Sequence, residues 1–156
     1  MTKKPICTVI IRAYNEEKHI RRLLIGIAEQ TVKDVQIILV DSGSTDRTIE
    51  ETSGFDLEVI HISPEEFTFG RSLNVGIAHA KADLVVMASA HVFPVYPDWL
   101  ETLLAPFKVK GVALTYGKQR GSTTTHFSEL QIFKHWYPEH SFPQQPHPFC
   151  NNANAA

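Results

Sequence analysis

Nothing in this sequence of 156 residues stays apolar for the roughly 18 positions that a membrane-spanning helix needs, so no integral membrane segment is expected. The N-terminus also lacks a signal peptide's apolar core and small-residue cleavage site: Met1-Thr2-Lys3-Lys4-Pro5 runs directly into a strand-like segment. Cysteine is scarce. Cys7 and Cys150 stand far apart and one falls in a predicted strand, which reads as two buried thiols rather than a disulfide. That fits a reducing cytoplasm, with a peripheral position at the membrane also compatible. Charge of one sign is missing as well: 15 basic against 17 acidic residues leave a formal net charge of −2. This balance argues against nucleic acid as the main partner and against a polybasic membrane patch. Glycine-rich nucleotide loops are absent too. No G-x-G-x-x-G follows the first strand and no G-x-x-x-x-G-K-[ST] occurs, so neither a dinucleotide fingerprint nor a P-loop is present.

What remains is ordinary for one globular domain: 43% of residues are hydrophobic and 21% charged. The apolar runs are short and rich in β-branched residues. Cys7 to Ile11, Val35 to Val40, Leu57 to Ile62, Leu84 to Ala88 and Val109 to Tyr116 read as five strands. Between them, Ile20, Leu23, Leu24 and Ile27 form one helical face over Glu16 to about Glu29. A second helix is predicted to start at Ser44 as N-cap, with Asp46 in its first turn, and to run to about Thr52. Ser72 to Ala80 and Asp98 to Phe107 complete the alternation, Pro97 sitting near a helix start where its missing N–H costs little. Alternating strands and helices, with strands apolar throughout, predict an α/β, Rossmann-like, mostly parallel sheet with helices on both faces.

After Gly117 the pattern dissolves into proline and polar residues, with a short helix over about Phe127 to Trp136. The organisation is therefore a single domain over 1–156, with an α/β core over 6–120 and an irregular segment over 121–156. The end, Phe149 to Ala156, has neither cap nor charged tail and reads as interrupted near the start of an element.

In such sheets ligands bind beyond the carboxyl ends of the strands. The chemistry should therefore lie in Arg12, Tyr14, Asn15, Glu16 and Glu17 after the first strand, Asp41, Ser42, Gly43, Ser44 and Asp46 after the second, and Ser89 and His91 after the fourth. Each cluster also has a plain structural use as turn, cap or helix-dipole partner. Their convergence on one edge is what favours a site. Tyr116-Gly117-Lys118-Gln119-Arg120, after the fifth strand, either lines the same cleft or is a basic exit loop. His126, His135, His140, His147 and Cys150 match no zinc-ligand spacing. The late aromatics Phe127, Phe133, Trp136, Tyr137, Phe142 and Phe149 suit a lid or acceptor wall, and equally a hydrophobic loop.

Taken in order, Thr8-Val-Ile-Ile-Arg-Ala-Tyr-Asn-Glu-Glu17, then Ile38-Leu-Val-Asp-Ser-Gly-Ser-Thr-Asp46, then Arg71-Ser-Leu-Asn-Val-Gly76 and Asp83-Leu-Val-Val-Met87, resemble the opening of family 2 glycosyltransferases. The resemblance covers about residues 6–120. It implies a GT-A fold, cut short at the C-terminus, and a donor site for a nucleoside-diphosphate sugar formed by Arg12, Tyr14, Asn15, Glu16, Asp41, Ser42, Arg71, Ser89 and His91. By position, Tyr14 would lie against the nucleobase, Asp41 would accept from a base N–H and Arg71 would face the diphosphate. Asn74 and Gly76 would shape the helix–sheet contact.

The implied reaction moves the sugar to a hydroxyl of a glycan, lipid or other acceptor with inversion, in polysaccharide, cell-wall or glycan synthesis. The catalytic base is expected beyond Ala156. A nucleotide-sugar-binding module without catalysis is the alternative. One departure stands out: where the family places Asp-x-Asp for Mg²⁺ or Mn²⁺, this chain has Ser89-Ala90-His91. Losing two carboxylates weakens a hard-cation site. A divalent ion held by His91 with phosphate oxygens, neutralisation by His91 with Arg71, Lys118 or Arg120, and loss of activity all stay open.

Overall fold

The computed structural model describes residues 3–121, 125–137, 139–141, 143 and 154–156. Among them, five strands form one sheet in the order β3-β2-β1-β4-β5. β1 is Cys7–Ala13, β2 Val35–Asp41, β3 Glu58–His61, β4 Val85–Ser89 and β5 Asn154–Ala155. The first four run parallel, while β5 pairs antiparallel with β4.

The alternation of side chains along β1 divides the core. Cys7, Val9, Ile11 and Ala13 face one layer, with Leu23, Leu24 and Ile27 of α1 (Ile20–Ala28) and Leu100, Leu103 and Leu104 of α3 (Trp99–Leu104). Ile10, Ile38 and Val40 face the other, beneath α2 (Phe69–Ala78), with Leu73 and Val75 against them. Both faces are therefore covered, as unbroken apolar strands require. Each fully buried Ile or Leu contributes about 1.5–3 kcal/mol relative to exposure. α2 lies close on β1: a Cβ on Gly76 would stand 2.5 Å from Ile10 Cγ2, so glycine is what lets the helix approach. That is the helix–sheet role expected of Gly76.

Three expectations need correction. Val109 to Tyr116 is not a strand. Val109 N bonds to Pro106 O and Val112 N to Val109 O, Gly111 has φ +95°, and Val109 is 63% exposed. The segment turns in solvent and reaches the sheet only near Tyr116, which bridges to Ala155; the fifth strand is Asn154–Ala155. The helix from Ser44 to Thr52 shrinks to a 3₁₀ turn at Glu50–Thr52, because the residues before it bond to another loop. α2 starts at Phe69, earlier than Ser72, because Thr68 caps it by accepting from Arg71 N at 3.0 Å. The helix over Phe127–Trp136 is present as α4. Cys7 is buried and free, and burial pushes its thiol up to about 11. Cys150, His147, Phe142 and Phe149 lie outside the described residues.

Candidate functional site

Strand order places the site. From β1 the chain winds outward through β2 and β3, then crosses back to lay β4 on the other side of β1. The loops leaving β1 and β4 diverge there, opening a crevice at the carboxyl ends of the strands. Register aligns the ends: Arg12 is opposite Ser89, Ala13 opposite Asp41, and Asp41 opposite His61.

The loops after β1 and β2 are laced together. Asn15 has φ 55°, a left-handed conformation that asparagine tolerates better than most residues. In that pose its N–H donates to Ser44 Oγ at 2.9 Å and its Oδ1 accepts from Thr45 N at 2.8 Å and Asp46 N at 3.4 Å. Glu16 N donates to Thr48 Oγ1 at 2.7 Å and Glu17 N to Asp46 Oδ2 at 3.0 Å, while Glu17 Oε2 accepts from Arg47 N at 3.1 Å. Ser44 and Asp46 therefore serve the β1 loop rather than a helix of their own. Around Asp46, partial desolvation raises the carboxyl pKa, but hydrogen bonds from the Thr48 hydroxyl and the Glu17 and Thr48 N–H groups outweigh it and leave the group lowered.

Asp41 sits at the floor of this knot, 2% exposed. Its Oδ1 accepts from Ser44 N at 3.2 Å and its Oδ2 from Gly43 N at 3.3 Å, and His61 Nδ1 lies 3.1 Å from Oδ2. Tyr14 projects from the same loop, 54% exposed. Across the crevice Ser89 is buried, and its Oγ lies 3.2 Å from His91 Nδ1. The same nitrogen is 3.2 Å from Glu16 Oε1. Glu16 thus ties the β1 loop to the β4 exit, and three strand ends share one edge.

Two polar atoms at the exits of β1 and β2 lack partners among the described residues. Arg12 Nε and Ser42 Oγ are buried with no hydrogen bond. Arg12 lies 5.0 Å from the centroid of Phe69, the first residue of α2, and burial lowers the guanidinium pKa of Arg12. Leaving such groups unpaired costs about 1–3 kcal/mol each, and functional sites are where such costs are tolerated.

Other expected residues stand apart from this knot. Arg71 is exposed and pairs with Glu66 at 2.6 Å. Lys118 pairs with Glu139 at 2.6 Å and, through that bond and its charge, holds the Glu139 carboxyl below its usual range. Arg120 lies 5.8 Å from the Tyr96 ring.

The donor set around His91 is a carboxylate, a hydroxyl and an imidazole. Among the described residues no group of three or more His, Cys, Asp or Glu side chains can hold a metal. Mg²⁺ asks for near-octahedral oxygen ligation, so Glu16, Ser89 and His91 do not make a self-sufficient site for it. His61 and Phe69 were not singled out in the sequence. The available signal was position: His61 lies one residue before the end of the third predicted strand and Asp41 directly follows the second, and in the structure they close β3 and β2, whose parallel register aligns them.

The comparisons with known proteins agree with this architecture. The chain is 32% identical over 117 residues to the O-antigen chain rhamnosyltransferase WbaN of Salmonella anatum, covering 74% of this chain and 37% of that one. Among solved structures it resembles the mannosyltransferase PcManGT from Pyrobaculum calidifontis, described in complex with GDP-Man and Mn²⁺. There the TM-score is 0.67 with 26% identity over 76% of this chain and 37% of that chain. Glucosyl-3-phosphoglycerate synthase from Mycobacterium tuberculosis, in complex with UDP, matches at TM-score 0.64 and 25% identity, covering 76% of this chain and 46% of that chain. The chain spans between 14% and 37% of the length of the first three curated relatives it matches. The fold is that of GT-A glycosyltransferases. With residues 8–152 matching the family model described as "Glycosyl transferase family 2", the chain belongs to that family.

Proposed function

We propose that this site binds a nucleoside-diphosphate sugar and that the full-length protein transfers the sugar to an acceptor hydroxyl with inversion. One observation carries the reading. The buried Asp41 carboxylate, the exposed Tyr14 ring and the Ser89–His91–Glu16 contact all stand at the level strand ends where the sheet order reverses. A carboxylate accepts from a nucleobase N–H, and an aromatic face stacks on a base. Family membership supports sugar transfer, and the solved relatives described with GDP-Man and with UDP support a nucleotide donor.

The leaving nucleoside diphosphate needs positive charge or donors around it. Arg12 beside Phe69 and His91 after β4 are candidates at the crevice, and Arg71 in α2 and Lys118 and Arg120 after Tyr116 are candidates farther from it. Any divalent ion would need ligands beyond Glu16, Ser89 and His91. Inversion in a single displacement requires a general base on the acceptor side, and no described carboxylate is given that role. WbaN's description as an O-antigen chain enzyme favours a glycan or lipid-linked acceptor in polysaccharide synthesis.

The test is calorimetric titration of the full-length protein with uridine, thymidine, guanosine, cytidine and adenosine diphosphates, each with and without Mn²⁺. The expected result is micromolar binding of at least one, weakened about tenfold or more by Asp41→Ala, the usual scale for losing a hydrogen bond to a charged group. No binding up to millimolar concentration by any of the five would end the proposal. Donor-dependent transfer to an acceptor would then separate an enzyme from a binding module.

A further inference from the structure

We infer that His61 is a positioning residue for nucleobase recognition, fixing which oxygen of Asp41 faces the base; this rests on the donor-site reading above. The placement follows from sheet register. β2 and β3 are parallel, Asp41 is opposite His61, and Ile62 N donates to Asp41 O at 2.9 Å, so the two side chains leave neighbouring strands side by side. They differ sharply in exposure: the side chain of Asp41 is 3% exposed and that of His61 64%. The imidazole is therefore the open partner of a closed carboxylate.

The hydrogen bonds divide the work of the two carboxylate oxygens. Oδ2 takes Gly43 N at 3.3 Å, Ser44 N at 3.3 Å and His61 Nδ1 at 3.1 Å. Oδ1 takes Ser44 N at 3.2 Å. A carboxylate has about four lone-pair positions and donates nothing, so the ring hydrogen belongs on Nδ1 and Oδ2 is filled. Oδ1 keeps acceptor capacity for a ligand N–H. An imino hydrogen, as in uracil, thymine or guanine, meets that requirement from the ring itself, whereas adenine and cytosine offer only exocyclic amino N–H groups.

The support beneath the pair is stiff. A Cβ on Gly43 would lie 2.8 Å from Pro64 Cγ, so the turn after β3 is packed on the turn after β2, and Gly43 at φ +86° holds that bend. Rigid backbone on both sides means that His61 restrains Asp41 by its ring alone. A similar contact elsewhere provides the control. At the other end of β3, Glu58 Oε1 lies 2.8 Å from His79 Nδ1, on exposed side chains away from the crevice.

The experiment compares His61→Ala, His61→Asn and His79→Ala with the wild type in the full-length protein. Calorimetry gives Kd for the five nucleoside diphosphates and for inorganic pyrophosphate. His61→Ala should raise Kd about tenfold for the best imino-bearing nucleotide, as expected for losing a hydrogen bond to a charged group, and shrink its advantage over adenosine and cytidine diphosphates. Pyrophosphate affinity should not move. His61→Asn, whose Nδ2 donates from nearly the place of Nδ1, should stay within about twofold, and His79→Ala should match the wild type. The inference falls if His61→Ala leaves nucleotide Kd within twofold, if it weakens pyrophosphate by the same factor, if His61→Asn is no better than His61→Ala, or if His79→Ala weakens binding as much. A wild type that binds none of the nucleotides overturns the donor-site reading and this inference with it. A wild type that binds them while His61→Ala is silent overturns the inference alone.

Discussion

The two sides of the crevice are built differently. On the β1–β2 side the loops are joined by reciprocal hydrogen bonds in which nearly every contact involves a backbone N–H, from Asn15, Glu16 and Glu17 in one direction and Thr45, Asp46 and Arg47 in the other. On the β4 side, past the backbone bond from Ala90 N to Arg12 O at 3.3 Å, the link is side chain to side chain: Glu16 to His91, and His91 to Ser89. Beyond it, β5 has two residues and the segment before Tyr116 turns in solvent. A backbone-laced wall keeps its shape without ligand, while a side-chain bridge can be exchanged for ligand contacts at small cost. The rigid side suits reading a constant part of a donor, such as a base. The exchangeable side suits the part where charge changes during transfer.

The comparison breaks most visibly at Asn15. Asn15→Ala places an ordinary residue at φ 55° and removes the acceptor of Thr45 N and Asp46 N. We expect a loss of about 2–3 kcal/mol in urea denaturation from backbone strain plus unsatisfied donors. His91→Ala, on the other side, should stay within about 0.5 kcal/mol, as surface changes do. Equal losses would mean that the two walls are not different in kind. Next in size is Gly43→Ala, which combines φ +86° with a clash against Pro64 and should cost about 1–3 kcal/mol. A melt indistinguishable from wild type would show that the two turns are not packed as described.

A smaller effect probes the β4–β5 edge. Trp99 Nε1 donates to Asn154 Oδ1 at 2.7 Å, and a Cβ on Gly117 would lie 2.5 Å from Asn154 Nδ2. The Asn154 amide thus pins β5 to α3, while backbone pairing, Gly117 N to Asn154 O at 2.9 Å, holds the Tyr116–Lys118 segment on β5. Trp99→Phe keeps the ring and removes the donor, and should cost about 1 kcal/mol. Thermal melts read this directly, and a gain in stability would refute the pin.

Legibility in the sequence followed the same division. Val9 to Ile11, Ile38 to Val40 and Val85 to Ala88 announced parallel strands because burial on both faces leaves no polar alternation to confuse the period. Ile20, Leu23, Leu24 and Ile27 announced α1 by spacing. Val109 to Tyr116 carried an apolar composition without that support, and Gly111, turning at positive φ, was read through rather than as a break. Ser44 satisfied the cap rule but bonds across 29 positions to Asn15, a tertiary partner that local rules do not see. Arg12, Tyr14, Asp41 and His91 could be placed on one edge from strand ends alone. What could not be read was how they are occupied: that Glu66 engages Arg71, that Phe69 lies beside Arg12, or that His61 holds Asp41.

The smallest effect concerns pH at the knot. Asp46 has a lowered pKa because, against a partial desolvation that raises it, the Thr48 hydroxyl and the N–H groups of Glu17 and Thr48 all donate to its charged form. A carboxyl whose folded pKa is depressed contributes stability above its unfolded pKa and loses it as pH falls through the folded value. The contribution is therefore complete above about pH 5, begins to fade near the unfolded value of about 3.9 and is gone below the folded one. Asp46→Asn keeps an acceptor but no charge, so it should melt lower than wild type at neutral pH, and the gap in Tm should close as the pH falls below about 4. A gap that stays constant from pH 7 to pH 3 would assign the role of Asp46 to shape rather than charge. The rigid wall would then owe its order to backbone pairing alone, and the contrast with the side-chain Glu16–His91 bridge would be sharper still.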